Sequence, residues 1–278
     1  MAFLMQDTTK ISNTFREDFE AQEGKVSDKW DSYLSVYDDA FATYKDRDIA
    51  LLEIGIQNGG SLEVHARYFA NHSIIVGCDI HPLCGNLVYP DHDKIKVVVG
   101  DANAEATRNR IEALSAEFDV IIDDGSHKSN DIINSFLHYF PKLRKGGIFV
   151  VEDLHASYWQ GYDGGLFHPS SSMAFLKDLV DVVNLENWGI PMSPQEFLVA
   201  KHPSYAALIK NCDFSGIESV HFYNSVCLIK KNETGLAAAL GRRRVVGSIA
   251  EVWPNAKPFD GALPEKPDQS KNKWSAPR

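Results

Sequence analysis

Five short apolar runs recur along residues 49–152, starting about 20 to 30 residues apart, and each closes on an acidic residue or a glycine turn. They occupy 49–54, 74–79, 95–99 (followed by Gly100 and Asp101), 118–123 and 147–152. Short, mostly apolar runs without regular polar alternation suit strands buried on both faces of a parallel sheet. Most stretches between them, such as 61–70 and 104–116, can hold a helix. Right-handed crossovers through those helices give a doubly wound sheet. Two later runs, 217–222 and 225–229, are joined tightly at Tyr223-Asn224 and read as an antiparallel hairpin closing one edge. The expectation is an α/β fold with a mostly parallel seven-stranded sheet and an antiparallel C-terminal pair.

Ahead of this rhythm, Trp30, Tyr33, Leu34, Tyr37, Phe41 and Tyr44 recur at three- and four-residue steps. That spacing predicts a helix with one aromatic face turned to the core, a face that could also cover the active site or meet another subunit. The expected organisation is an N-terminal helical segment at 1–46, a main domain at 47–250 and a flexible, proline-containing tail at 251–278. Residues 155–172 form a long connection rich in Gly, Ser, Tyr and Trp, a length usually reserved for functional or disordered loops. A helix over about 173–187 follows it.

Composition narrows the function. A formal net charge of -10 argues against a general binder of nucleic-acid backbones, which needs a basic face. The one basic run, Arg242 to Arg244, reads as a solvated helix end. None of the four cysteines forms a C-x-x-C pair, and Cys78 and Cys227 lie within apolar runs. Buried thiols and a reducing, cytoplasmic setting are expected, without a disulfide framework. No stretch approaches the ~18 apolar residues of a membrane span, and the N-terminus is too short in apolar residues for a signal peptide.

Ligands of open α/β sheets bind beyond the carboxyl ends of the strands. Acids cluster there: Glu53, Asp79, Asp101, Asp123 with Asp124, and Glu152 with Asp153. Each taken singly reads equally well as a helix cap. As a set they are costly to assemble unless a cation or a hydroxyl-rich ligand offsets them. The first turn, from Glu53 through Gly55, Gly59 and Gly60 to Ser61, lacks the G-x-G-x-x-G spacing of nicotinamide sites. Its leading acid would repel a pyrophosphate and suit a ligand bearing an amino or sulfonium cation. Asp79 sits where an acid accepts ribose hydroxyls, and Asp101 where one accepts an adenine amino group.

The blocks Lys29-Trp30 with Tyr37, Leu51-Leu52-Glu53-Ile54-Gly55, Ile121-Ile122-Asp123-Asp124-Gly125-Ser126-His127, Val150-Val151-Glu152-Asp153-Leu154 and Ser157-Tyr158-Trp159 carry a resemblance. From about Lys29 to Lys230 the chain resembles class I S-adenosylmethionine-dependent methyltransferases. More narrowly, it is similar to the metal-dependent sugar O-methyltransferases of macrolide and aminocoumarin antibiotic pathways. The resemblance implies that Glu53, Gly55, Asp79, Asp101 and Asp123, with Ser61 closing the turn, bind S-adenosylmethionine. It implies that Asp124, Glu152 and Asp153 hold a divalent cation, magnesium being the first choice, and that His127 is the general base. Members of that family often carry an extra N-terminal domain, and 278 residues leave no room for a large one.

The residue chemistry runs the same way. Three carboxylates make an all-oxygen site suited to a hard cation. Coordination lowers the pKa of a bound hydroxyl, and a neutral imidazole can then take its proton. His155, after the second acidic pair, is the rival base. Tyr158, Trp159, Tyr162 and Phe167 offer aromatic faces for a sugar or a flat acceptor. The expected activity is methylation of a sugar hydroxyl in a glycoside or glycan. Self-association is compatible with the sequence, and no nucleic-acid or membrane partner is expected. Methylation of a catechol-like diol and non-catalytic cofactor binding are the competing readings.

Overall fold

The computed structural model describes residues 13–234 and 239–275, so residues 1–12 of the expected N-terminal segment and 276–278 of the expected tail lie outside the described residues. Seven strands form one mixed sheet: β1 Ala50–Ile54, β2 Ile74–Asp79, β3 Ile95–Val99, β4 Phe118–Asp123, β5 Leu143–Val151, β6 Ile217–Phe222 and β7 Cys227–Lys231. Their order is β3-β2-β1-β4-β5-β7-β6. The helices are α1 Phe15–Glu20, α2 Asp31–Phe41, α3 Gly60–Tyr68, α4 Glu105–Leu114, α5 Ser129–Tyr139, α6 Ser172–Val183, α7 Pro194–Lys201 and α8 Ala206–Ile209. Chain contacts divide the molecule into two compact units that meet in sequence at Gly125 and Ser126.

The first unit holds β1 to β4, all parallel, with β1 between β2 and β4. Every residue of β1 and β4 is buried, which explains why their sequences lack alternation. Ile54 pairs with both Cys78 and Asp123, so the carboxyl ends of these strands stop in register. The aromatic stripe of α2 faces inward as its spacing predicts: Tyr33, Leu34, Tyr37 and Phe41 are buried, as is Tyr44 in the turn just after the helix. Phe15 of α1 meets Tyr37 edge-on at 5.0 Å, and Phe41 meets Phe69 at 5.4 Å. Trp30 departs from the expectation. It precedes α2 as its N-cap, in extended backbone, and is 61% exposed.

In the second unit β7 runs antiparallel to β5 and β6, as the closing hairpin predicts. The connection covers residues 223–226, two residues more than expected, with Tyr223 N donating to Val226 O and Ser225 at a φ of 71°. The segment after β5 is not structureless: short 3-10 turns occupy Leu154–Tyr158 and Gln160–Tyr162. Capping defines the later helices. Ser171 accepts from Ala174 N ahead of α6, and Ser193 and Glu196 form a reciprocal capping box on α7. All four cysteines are free and buried, and burial pushes the Cys78 thiol up to about 12. Among the described residues no helix is long and apolar enough to cross a membrane.

Candidate active site

Backbone geometry builds the first half of the site. Gly55, at a φ of 84°, leads out of β1, and a side chain there would come within 2.1 Å of the Asp124 carbonyl. Only glycine tolerates both the left-handed turn and that approach. The turns after β1 and β4 therefore lie against each other, tied by Asp124 N to Ile54 O at 2.8 Å. Gly59 supplies a second left-handed turn, at a φ of 77°, as the N-cap of α3.

Gly60 answers a different constraint. A Cβ there would stand 2.2 Å from Lys25 O and 2.5 Å from Val26 C. The segment 21–30 passes over the start of α3 as a strap, and Gly60 N donates to Val26 O at 3.2 Å. The strap is fastened by Glu63, which accepts from Lys25 N at 2.9 Å, from Lys25 Nζ at 2.7 Å and from Gln22 Nε2 at 2.5 Å.

Inside this cradle Glu53 is fully buried. Ser61 Oγ donates to Glu53 Oε2 at 2.7 Å, so Ser61 orients the acid, a more indirect part than sequence reading assigned it. Burial pushes the Glu53 pKa up, but nearby His65, Lys29 and Ser61 outweigh it and hold the carboxyl below the ordinary range. His65 Nε2 stands 3.7 Å from Oε2, beyond an ordinary hydrogen bond. Glu53 Oε1 is buried and accepts no hydrogen bond. A buried orphan acceptor costs free energy unless a ligand satisfies it, and a cationic donor from S-adenosylmethionine fits this one.

The other expected cofactor residues divide by environment. Asp79 ends β2 with Oδ2 accepting from Ile56 N and Gln57 N at 2.9 Å each, and Oδ1 accepting from His81 N at 2.8 Å. Its first task is to shape the glycine turn, which leaves about one acceptor position for a ligand hydroxyl. Asp101 is exposed beyond β3 and accepts from Asn103 N at 2.8 Å. Asp123 is buried at the end of β4 and accepts from Gly125 N at 3.3 Å.

Lys29 has no role legible in the sequence beyond its place in the resemblance. Its side chain is only 4% exposed, with Nζ 2.6 Å from Asp124 Oδ2 and 3.8 Å from Glu53 Oε1. No local sequence signal marks it, because a lysine before a helix is ordinarily solvated.

In the second unit His127 and Asp153 come together, with His127 Nε2 3.6 Å from Asp153 Oδ2. Both are non-glycine residues in left-handed backbone, at φ values of 58° and 53°. Such conformations cost of order 1–3 kcal/mol and collect at functional sites. His155 Nδ1 lies 2.6 Å from Ser225 Oγ and 3.9 Å from Asp153 Oδ1, so the hairpin turn holds the rival histidine. That anchor was invisible in sequence, because Ser225 lies 70 residues from His155. Asp124, His127 and Asp153 are half-buried and each has one ligand atom to offer a metal ion. Glu152 differs, being 2% exposed. The oxygen donors of Asp124 and Asp153 suit a hard divalent cation. Tyr158 and Trp159 are about half exposed, and Trp159 meets the His155 ring at 4.9 Å.

A mostly parallel sheet with this order and an antiparallel closing pair, glycine-turned and acid-tipped at its carboxyl edge, defines a class I methyltransferase fold, and residues 52–154 match the methyltransferase domain family model. The chain carries a methyltransferase domain of that class, and its similarity runs to sugar O-methyltransferases of antibiotic biosynthesis. It is 30% identical over 220 residues to demethylmacrocin O-methyltransferase of Streptomyces fradiae, covering 74% of this chain and 51% of that one. It is 29% identical to 8-demethyl-8-alpha-L-rhamnosyl tetracenomycin-C 2'-O-methyltransferase of Streptomyces olivaceus, covering 78% and 55%. Among solved structures, MycE methyltransferase of the mycinamycin pathway, in complex with Mg, SAH and mycinamycin VI, superposes with a TM-score of 0.64 at 26% identity, covering 80% and 54%. The chain spans about half the length of the relatives it matches.

Proposed function

We propose that this chain transfers the methyl group of S-adenosylmethionine to a hydroxyl of a sugar in a glycoside, with a divalent cation held by Asp124, Glu152 and Asp153 and with His127 as general base. The observation that carries the reading is the pair His127 and Asp153, 3.6 Å apart and both in left-handed backbone. Sequence adds Asp124, three residues before His127. The relatives named for sugar O-methylation, and the MycE complex with Mg and SAH, supply the substrate class and the cofactors.

When bound, S-adenosylmethionine supplies an activated methyl group on a good leaving group, and a hard divalent cation lowers the pKa of a coordinated hydroxyl. The residues of the chain do the rest. Glu53 offers its orphan Oε1 to the cationic end of the cofactor, while Ser61 fixes that carboxylate. Asp79 accepts a ribose hydroxyl on the position its backbone partners leave open. Asp124, Glu152 and Asp153 would hold the cation through carboxylate oxygens, the donors a hard divalent ion prefers. His127 Nε2, beside Asp153, takes the proton of the acceptor hydroxyl, and Asp153 stabilises the imidazolium that results. His155, tied to Ser225, positions the loop that carries Trp159.

The test is methyl transfer from labelled cofactor to a panel of glycosides. His127→Ala should lower turnover by about 10²–10⁴-fold with cofactor affinity unchanged, and His155→Ala should do less. Exchanged phenotypes would move the base to His155. Transfer to catechols and to no glycoside would replace the acceptor class. Tight cofactor binding with no turnover on any acceptor would leave a binding protein.

A further inference from the structure

Lys29 stands beside Glu53 and Asp124, yet the proposed reaction does not use its chemistry. A lysine is rarely buried unless paired, and this one reaches two acids: Asp124 Oδ2 at 2.6 Å and Glu53 Oε1 at 3.8 Å. It arrives on the strap, whose near part is fastened by Glu63 and by the Gly60-to-Val26 hydrogen bond. An ammonium placed this way does what a bound cation would do: it offsets the repulsion between two half-buried or buried carboxylates.

We propose that Lys29 is a built-in counter-ion of Glu53 and Asp124 that competes with the divalent cation for Asp124. The inference rests on the proposed function, because it takes Asp124 as a metal ligand. The ammonium donates to Asp124 Oδ2, the atom class a hard cation also seeks. Two positive charges sharing one carboxylate repel each other, and the repulsion is strong where side chains are shielded from water. Metal binding therefore draws Asp124 away from Lys29, and the Lys29 ammonium is released toward water. The arrangement makes Lys29 a positioning residue. It holds the Asp124 carboxylate in place through Oδ2, and it sets how tightly the cation is held.

The competition has a definite sign. Lys29→Met removes the rival charge and should bind magnesium at least about tenfold tighter than the wild type by calorimetry. Lys29→Arg keeps the charge and should stay near the wild-type affinity. Lys29→Gln, which keeps a hydrogen-bond donor but no charge, should behave like Lys29→Met and serves if the methionine variant does not fold. In chelator Lys29→Met should melt below the wild type, and magnesium should raise its melting temperature by more degrees. Acylation of Lys29 in the wild-type protein, read by mass spectrometry, should rise when magnesium is added. Equal or weaker magnesium binding by both uncharged variants, or acylation insensitive to magnesium, overturns the inference and leaves the proposed function standing. A wild type that binds no magnesium takes down both the metal role of Asp124 and this inference.

Discussion

Replacing Gly60 by alanine sets helix propensity against packing, and the structure decides the sign. Gly60 is the first residue of α3, and its backbone is not left-handed. Propensity alone makes the change favourable by up to about 1 kcal/mol. The new Cβ, however, would meet Lys25 O at 2.2 Å, and contacts under 3.0 Å essentially never occur. The obstacle is backbone, so no rotamer change relieves it. The strap must retreat by at least 0.8 Å, the difference between those two distances. That retreat strains the Gly60-to-Val26 hydrogen bond and the Lys25 contacts with Glu63. Overpacking costs about 1–3 kcal/mol, and a lost hydrogen bond about 1 kcal/mol more. The net expectation is a destabilisation of about 1–3 kcal/mol. Urea unfolding checks it: the midpoint should fall while the slope stays constant. Gly161→Ala is the control, since an added Cβ there would meet nothing within 4 Å, and it should be near neutral. Gly60→Ala at or above wild-type stability would refute the account of the strap.

Gly55→Ala combines a φ of 84° with a 2.1 Å approach to Asp124 O, so it should cost more stability than Gly60→Ala and weaken metal binding, as paired melting and calorimetry would show. Burial pushes Glu63 up, but its bonds from Lys25 and Gln22 hold the carboxyl below its ordinary value of 4.5. Its contribution is then present above pH 4.5 and fades as the pH falls through the lower folded value. The melting-temperature gap between wild type and Glu63→Gln should be full above that pH and close below it; a gap independent of pH would contradict the strap's fastening. Excess chelator should abolish methyl transfer and magnesium should restore it, whereas full turnover in chelator would remove the cation from the reaction.

What was legible in the sequence was whatever depends on burial along the chain. Strands β2, β3, β4 and β6 have the expected bounds; for β2 and β4 the reason is burial, since a residue buried on both faces must be apolar and the run ends where burial ends. The acids at the strand ends were legible for the same reason, standing out against that apolar background. The inward stripe of α2 followed from its period, except for Trp30, which precedes the helix and so escapes the pattern.

Tertiary structure decided which of those acids are already engaged and by what. Asp79 spends three acceptor positions on backbone amides, and Ser61 serves Glu53. His155 is held by a serine 70 residues away. The double glycine looked like a single turn signal, yet Gly59 provides a left-handed backbone and Gly60 makes room for the strap. Lys29 became a buried cation only because the strap carries it to Glu53 and Asp124. Sequence determined the sheet and the line of charges at its edge, since these follow from local periodicity. The pairing of those charges required the fold, since an ion pair or a steric contact depends on distances between segments that sequence spacing does not encode.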